Sequence, residues 1–207
     1  MNLILVHGLG QSAAAWDKTV REFPEGISAV CPELSEMYKG GGYDSLYSAF
    51  CEYCGDFSEP LDLCGLSLGA VLALNYAADF PDRVGSLVLI AGQYKVPKAL
   101  MKFQGLIFRF MPKKAFEETG FGKSDFMELN GSMAGLDLTD KLKNVTANVL
   151  VAVGGRDKPN AGAANEMSKL LGCDLKTIPD SGHEVNLDDP KALAEVLTAF
   201  YGRSGLL

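Results

Sequence analysis

Leu61-Asp62-Leu63-Cys64 followed by Gly65-Leu66-Ser67-Leu68-Gly69 and then Ala70-Val71-Leu72-Ala73-Leu74-Asn75-Tyr76-Ala77-Ala78 is the stretch whose reading decides the fold. Its first four residues form a short apolar run of strand type, and its last nine form a helix-like run. Between them a serine stands two residues from a glycine on either side. A turn joining strand to helix within so few residues would bring the flanking side chains into collision. Glycine removes the collision, and the strained backbone pushes the serine hydroxyl outward into a cleft. This is the nucleophile-elbow pattern, and the flanking strand and helix give it its weight.

The same alternation of strand and helix extends in both directions. Leu3 to Val6, Ile27 to Cys31, Ser86 to Ala91, Asn148 to Val153 and Leu175 to Ile178 read as further strands beside Leu61 to Cys64. They are continuous apolar runs rather than alternating ones, as expected of a sheet covered on both faces. Helices are predicted at Ser12–Phe23, Asp44–Cys54, Ser67–Asp79, Asn160–Leu171 and Pro190–Tyr201. Together these imply an α/β, three-layer α/β/α architecture with a mostly parallel sheet of about six strands. The rhythm breaks once. From Tyr94 to Lys143 no strand-like run occurs, only helical patterns interrupted by Gly and Pro. A long insertion of this kind reads as a helical cap or lid, at 94–143 within a single domain spanning 1–207.

Composition narrows the function classes. The chain has 207 residues, 47% of them hydrophobic, enough for a substantial core. A formal charge of −7 argues against nucleic acid as a general partner. Five cysteines without a framework (Cys31, Cys51, Cys54, Cys64, Cys173) fit reduced thiols in a cytoplasmic protein. Met1 to Val6 carries no basic leader, and no run is long enough to span a membrane. Asn130-Gly131-Ser132 and Asn144-Val145-Thr146 match the glycosylation triplet but read as accidental without a secretory signal.

A serine hydroxyl needs a base within reach, and the base needs a carboxylate to fix its tautomer. Only His7 and His183 are available. His183 lies in Ser181-Gly182-His183-Glu184, after the last predicted strand, and Asp157 in Gly154-Gly155-Arg156-Asp157, just past Val149–Val153. Ser67, Asp157 and His183 thus follow one another at the C-terminal ends of strands, where open α/β sheets carry their sites. Asp180, Asp188 and Asp189, all near His183, are alternative carboxylates.

These motifs, with His7-Gly8-Leu9-Gly10 after the first strand, resemble the α/β-hydrolase family nearly end to end. The resemblance implies Ser67 as nucleophile, His183 as base and Asp157 as orienting acid. It also implies an oxyanion hole from the backbone N–H groups of Leu9 and Leu68, with His7 bracing the loop. One departure stands out: family members usually carry two or more strands before the His-Gly turn, and this chain begins at the strand leading into it. The implied activity is serine hydrolysis of a small or medium carboxylic ester through an acyl-enzyme, with no metal or organic cofactor. Thioester, amide or carbon–carbon bond cleavage use the same triad, and a hydrolase-fold binding protein without turnover is a further alternative.

A rival reading is an NAD(P)-binding oxidoreductase. Gly8-Leu9-Gly10-Gln11-Ser12-Ala13 fits the dinucleotide fingerprint, with Glu33 after the next strand. Tyr94 and Lys98 offer a dehydrogenase-type pair, which Pro97 spoils.

Within the insertion, residues 95–114 carry six basic groups and no acidic one. On a helix, Lys98, Lys102, Gly105 and Arg109 form a polar stripe and apolar residues cover the rest. One reading packs this helix on the core. The sharper one makes Phe103, Ile107 and Phe110 the lining of an acyl pocket, with the basic stripe meeting an anionic substrate or making weak contact with a lipid surface.

Overall fold

The computed structural model describes residues 2–58, 60–112, 114–117 and 119–203, without the side chains of Leu100, Phe103, Ala115, Glu117 and Arg203. Within these residues six strands build one sheet: β1 (Leu3–Val6), β2 (Ala29–Val30), β3 (Leu61–Leu66), β4 (Val84–Ile90), β5 (Asn148–Gly154) and β6 (Asp174–Ile178). Their order is β2-β1-β3-β4-β5-β6 and every pairing is parallel. The helices are α1 (Asp17–Arg21), α2 (Leu34–Met37), α3 (Gly42–Gly55), α4 (Leu68–Asp79), α5 (Lys98–Phe110), α6 (Lys114–Glu117), α7 (Lys123–Ser132), α8 (Lys158–Leu171), α9 (Val185–Asp188) and α10 (Pro190–Arg203).

Alternate strand residues feed two cores, which makes the three layers. Ile4, Val6, Leu63, Leu89 and Val151 join α3, α4 and α8 on one face. Leu5, Cys64, Val88 and Ala152 join Trp16 and, from α10, Leu193, Leu197 and Tyr201 on the other. A period of two sends each strand to both faces, and both faces are apolar because helices cover both.

The outer strands depart from the reading of continuous buried runs. The strand expected over 27–31 shrinks to Ala29–Val30, which pairs only with β1. β6 pairs only with β5, and Asp174, Lys176 and Thr177 stay exposed. The helix expected at 12–23 is a 3-10 turn, Ala13–Trp16, followed by the short α1. It stops before Pro24, whose ring disfavours helical backbone at the residue ahead of it.

The segment between β4 and β5 carries α5, α6 and α7. Its two ends are pinned by a short antiparallel pairing that the sequence reading lacked. Leu138 N–H donates to Tyr94 O (2.8 Å), Val96 N–H to Leu136 O (2.8 Å), and Lys95 pairs with Asp137 at 2.9 Å. So few paired residues leave no apolar run to detect. Above this neck α5 packs on α7, with Phe108 edge-on to Phe126 at 4.7 Å between ring centroids. Tyr43 N–H at the start of α3 donates to Ser132 Oγ of α7 (2.8 Å), and the segment's buried residues continue the core on the α3 and α4 face.

Candidate active site

The elbow is built by close backbone contacts. A Cβ at Gly65 would stand 2.2 Å from Gly69 O, and one at Gly69 would stand 2.2 Å from Val6 O, so α4 can approach β3 and β1 only with glycine at both positions. Ser67 between them has φ 54° and ψ −111°. Its N–H is held by Ile90 O of β4 at 2.9 Å. Among the described residues the only other non-glycine with positive φ is Ala91 (φ 50°), at the end of β4, and both line one cavity. Strain gathered at one cleft is a common mark of a working site.

That cavity, about 360 Å³, is lined by Ser67, Asp157 and His183, by Leu9 and Leu68, and from α5 by Met101, Gln104 and Ile107. A larger hollow of about 830 Å³ follows the outer edge of β6 beside α10 and touches none of the candidate residues. Chemistry, not size, singles out the smaller one.

Asp157 follows β5 and is buried; His183 follows β6. His183 Nδ1 lies 2.8 Å from Asp157 Oδ2. Gly154 and Gly155 make this juxtaposition possible, because a Cβ there would fall 2.0 Å from Gly182 O and 2.2 Å from Pro179 O. Arg156 N–H donating to Ser181 O (2.9 Å) ties the two loops further. Burial alone would raise the Asp157 carboxyl, but hydrogen bonds from His183 and Asn160 outweigh it and hold the group below its usual value. With Nδ1–H donated to this carboxylate, His183 Nε2 is left as the free basic nitrogen.

Of the alternative carboxylates near His183, two accept local backbone hydrogen bonds and one accepts none among the described residues. Asp188 Oδ2 accepts from Gly182 N–H (2.6 Å), and Asp189 Oδ1 accepts from Ala192 N–H (3.0 Å) at the start of α10. Asp180 is exposed and makes no side-chain hydrogen bond among the described residues.

Neither Leu9 N–H nor Leu68 N–H meets a protein acceptor among the described residues, and both residues line the cavity with Ser67. Leu68 opens α4, where first-turn N–H groups lack helical partners. The Leu9 loop is fixed from behind. His7 is fully buried; its Nδ1–H donates to Gly8 O (2.9 Å) and its Nε2 accepts from Leu34 N–H (3.1 Å). Burial pulls the His7 pKa below its ordinary value, so the ring is neutral and its 3.2 Å approach to Glu33 Oε1 is not a salt bridge.

The dinucleotide reading fails on these contacts. Glu33 accepts from Ala13 N–H (2.9 Å), Ser35 N–H (3.4 Å) and Ser35 Oγ (3.0 Å), so its carboxylate is engaged at the start of α2 rather than open to a ribose. Tyr94 stands in the paired neck and Lys98 starts α5, so the two never share a helix.

Four supporting side chains escaped the sequence reading. Asn160, in the first turn of α8, donates to Asp157 Oδ1 (2.8 Å) and Oδ2 (2.9 Å), and Gln93 Nε2 donates to Asn160 Oδ1 (2.7 Å). Gln11 Nε2 donates to Asn186 Oδ1 (3.1 Å), and Asn186 Nδ2 returns a bond to Gln11 Oε1 (3.2 Å), linking the Leu9 loop to the His183 loop. Only Asn160 left a signal, an amide three residues after a helix-capping position; the Gln11–Asn186 partners are 175 residues apart.

The candidate acyl-pocket residues of α5 divide. Ile107 lines the cavity, whereas Phe110 does not: it lies a turn further along α5 and is 80% exposed. The Phe103 side chain lies outside the described residues. Gly105 does not belong to a solvated polar stripe, because it is buried against Asn130, whose Nδ2 donates to Met101 O (2.8 Å). That use also buries Asn130, the acceptor asparagine of the first glycosylation triplet.

The family model described as the alpha/beta hydrolase family matches residues 3–196, from the first strand into the last helix, and the chain belongs to that family. Within it the chain is similar to monoacylglycerol lipase abhd6-B of Xenopus laevis, 21% identical over 96% of this chain and 74% of that protein. Its fold matches a carboxylesterase structure from Nitrososphaera gargenis (TM-score 0.83, 18% identity, covering 99% of this chain and 90% of that one). It also matches NosK from Streptomyces actuosus (TM-score 0.78, 22% identity, covering 99% and 98%). No helix among the described residues is long and apolar enough to cross a membrane.

Proposed function

We propose that this protein is a serine hydrolase that cleaves a small or medium carboxylic ester through an acyl-enzyme, with Ser67 as nucleophile, His183 as base and Asp157 as orienting acid. The observation that carries the reading is the 2.8 Å Asp157–His183 pair on a cavity shared with strained Ser67. Ser67 Oγ attacks the ester carbonyl carbon while its proton passes to His183 Nε2. The carbonyl oxygen becomes an oxyanion that accepts from Leu9 N–H and Leu68 N–H. The tetrahedral intermediate collapses, and the alcohol leaves with the proton from His183. Water then repeats the sequence on the acyl-enzyme, releasing the acid and restoring the serine. The largely apolar lining supports an acyl group in the cavity, and the lipase and carboxylesterase names among the similar proteins support an ester as the scissile group. In this reading residues 94–143 are a cap that admits the substrate.

Ser67→Ala tests it. We expect loss of covalent labelling by a fluorophosphonate and a fall in p-nitrophenyl ester turnover of at least about a thousandfold, with the fold retained by circular dichroism. Retained labelling in the folded variant overturns the assignment, and absence of turnover in the wild type across short esters favours the non-catalytic reading.

A further inference from the structure

α5 presents three different faces. Met101 and Gly105 are buried against α7. Gln104 and Ile107 face the cavity that holds Ser67. The remaining face turns outward and is apolar: Leu106 is 54% exposed, Ile107 46% and Phe110 80%. Helical geometry puts Leu106 and Phe110 four residues apart on one line, with Ile107 beside them. Along one flank of this line lie exposed Lys98, Lys102 and Arg109, and Lys114 follows just beyond the helix. A groove between α5 and α7 runs beneath that flank, floored by Met127, Gly131 and Ala134 and edged by Lys102 and Arg109. The acids of α7 have other partners: Asp125 accepts from Gly122 N–H and Glu128 accepts from Tyr38 Oη.

We propose that this outward face of α5 docks on an anionic lipid surface. Leu106 and Phe110 enter the acyl boundary, while Lys102 and Arg109 meet the headgroup phosphates. Two features select a lipid over an acidic polypeptide. Large apolar side chains with basic residues beside them on the same short helix are the pattern of an interfacial helix. Residues 95–114 also hold six basic groups and no acid in a chain whose net charge is −7, so this segment is the part of the chain that an anionic surface attracts. Docked this way, Ile107 lies at once on the lipid boundary and on the cavity wall, so an amphiphile would enter acyl chain first. That entry route rests on the esterase reading; the docking itself does not.

Vesicle flotation separates the two. Phosphatidylcholine vesicles with and without phosphatidylglycerol are mixed with the whole protein, and turnover of a short soluble ester is followed in parallel. The wild type should float with the phosphatidylglycerol vesicles, less with the neutral ones, and less again as salt rises. Lys102→Glu/Arg109→Glu and, separately, Leu106→Asp/Phe110→Asp should each weaken vesicle binding by about tenfold or more, with short-ester turnover unchanged. Phe110→Trp supplies a second readout. The one native tryptophan, Trp16, is fully buried, so a blue shift on adding anionic vesicles reports the residue at position 110. Absence of both flotation and blue shift overturns the docking proposal, as does binding that both double variants retain. So does salt-sensitive binding to polyglutamate without binding to vesicles, which makes the face a protein-docking surface. Loss of ester turnover in a protein that still floats leaves docking intact and removes the esterase reading instead.

Discussion

Asp157 is where the chemistry of single residues is most exposed to test. Its carboxylate accepts from His183 and twice from Asn160, and Gln93 holds Asn160 in turn. We expect Asp157→Asn to leave the fold intact and lower ester turnover by about 10³–10⁴-fold, because the amide no longer selects the tautomer that frees Nε2. Near-normal rates in Asp157→Asn, together with loss in Asp180→Asn, would pass the role to Asp180. The residues of the proposed triad were legible from their types and order: one serine between glycines, two histidines and an acid after a strand. Gln93, Asn160, Gln11 and Asn186 were not, because an amide bonding another amide far along the chain leaves no local pattern.

At the scale of elements, the helix that borders the cavity divides its duties by face. Ile107 forms part of the wall, and Phe110 does not. Ile107→Ala should therefore extend the preferred acyl length of p-nitrophenyl esters, at little cost in stability because the side chain is half exposed. Phe110→Ala should leave that profile where it was. The reverse pattern, measured as kcat/KM across chain lengths, would mean that Phe110 and not Ile107 meets the bound acyl chain. The period of α5 showed that it was amphipathic. Which apolar residues meet the cavity and which meet solvent depended on its rotation against α7, fixed by the small Gly105 against Asn130.

For the molecule as a whole, the buried histidine sets a pH dependence. His7 is neutral in the fold with its pKa below the ordinary 6.5, chiefly through burial. Well above 6.5 neither folded nor unfolded chain binds a proton there, so stability is at its full value. As pH falls below 6.5 the unfolded chain takes up a proton that the fold refuses, and stability is lost. Thermal melts of the wild type should drop from pH 6.5 toward pH 5, and those of His7→Gln, though lower at neutral pH, should drop less steeply. Parallel slopes would mean that His7 titrates normally in the fold.

The sequence by itself determined the parallel sheet, its six strands and the elbow. Each of these rests on neighbours in the chain, namely apolar runs of strand length and a glycine pair that lets α4 close on β3 and β1. The edges β2 and β6 were less well marked, because a strand paired on one side only is short or half exposed. Only the tertiary structure decided which acid faces His183, that Glu33 is occupied at the start of α2, and that the segment between β4 and β5 is pinned by a short antiparallel neck. Those outcomes depend on backbone segments far apart in sequence meeting within a few ångströms, as Gly154 and Gly155 do with Gly182 and Pro179. No local pattern of residue types encodes such a distance; the packing of one loop on another does.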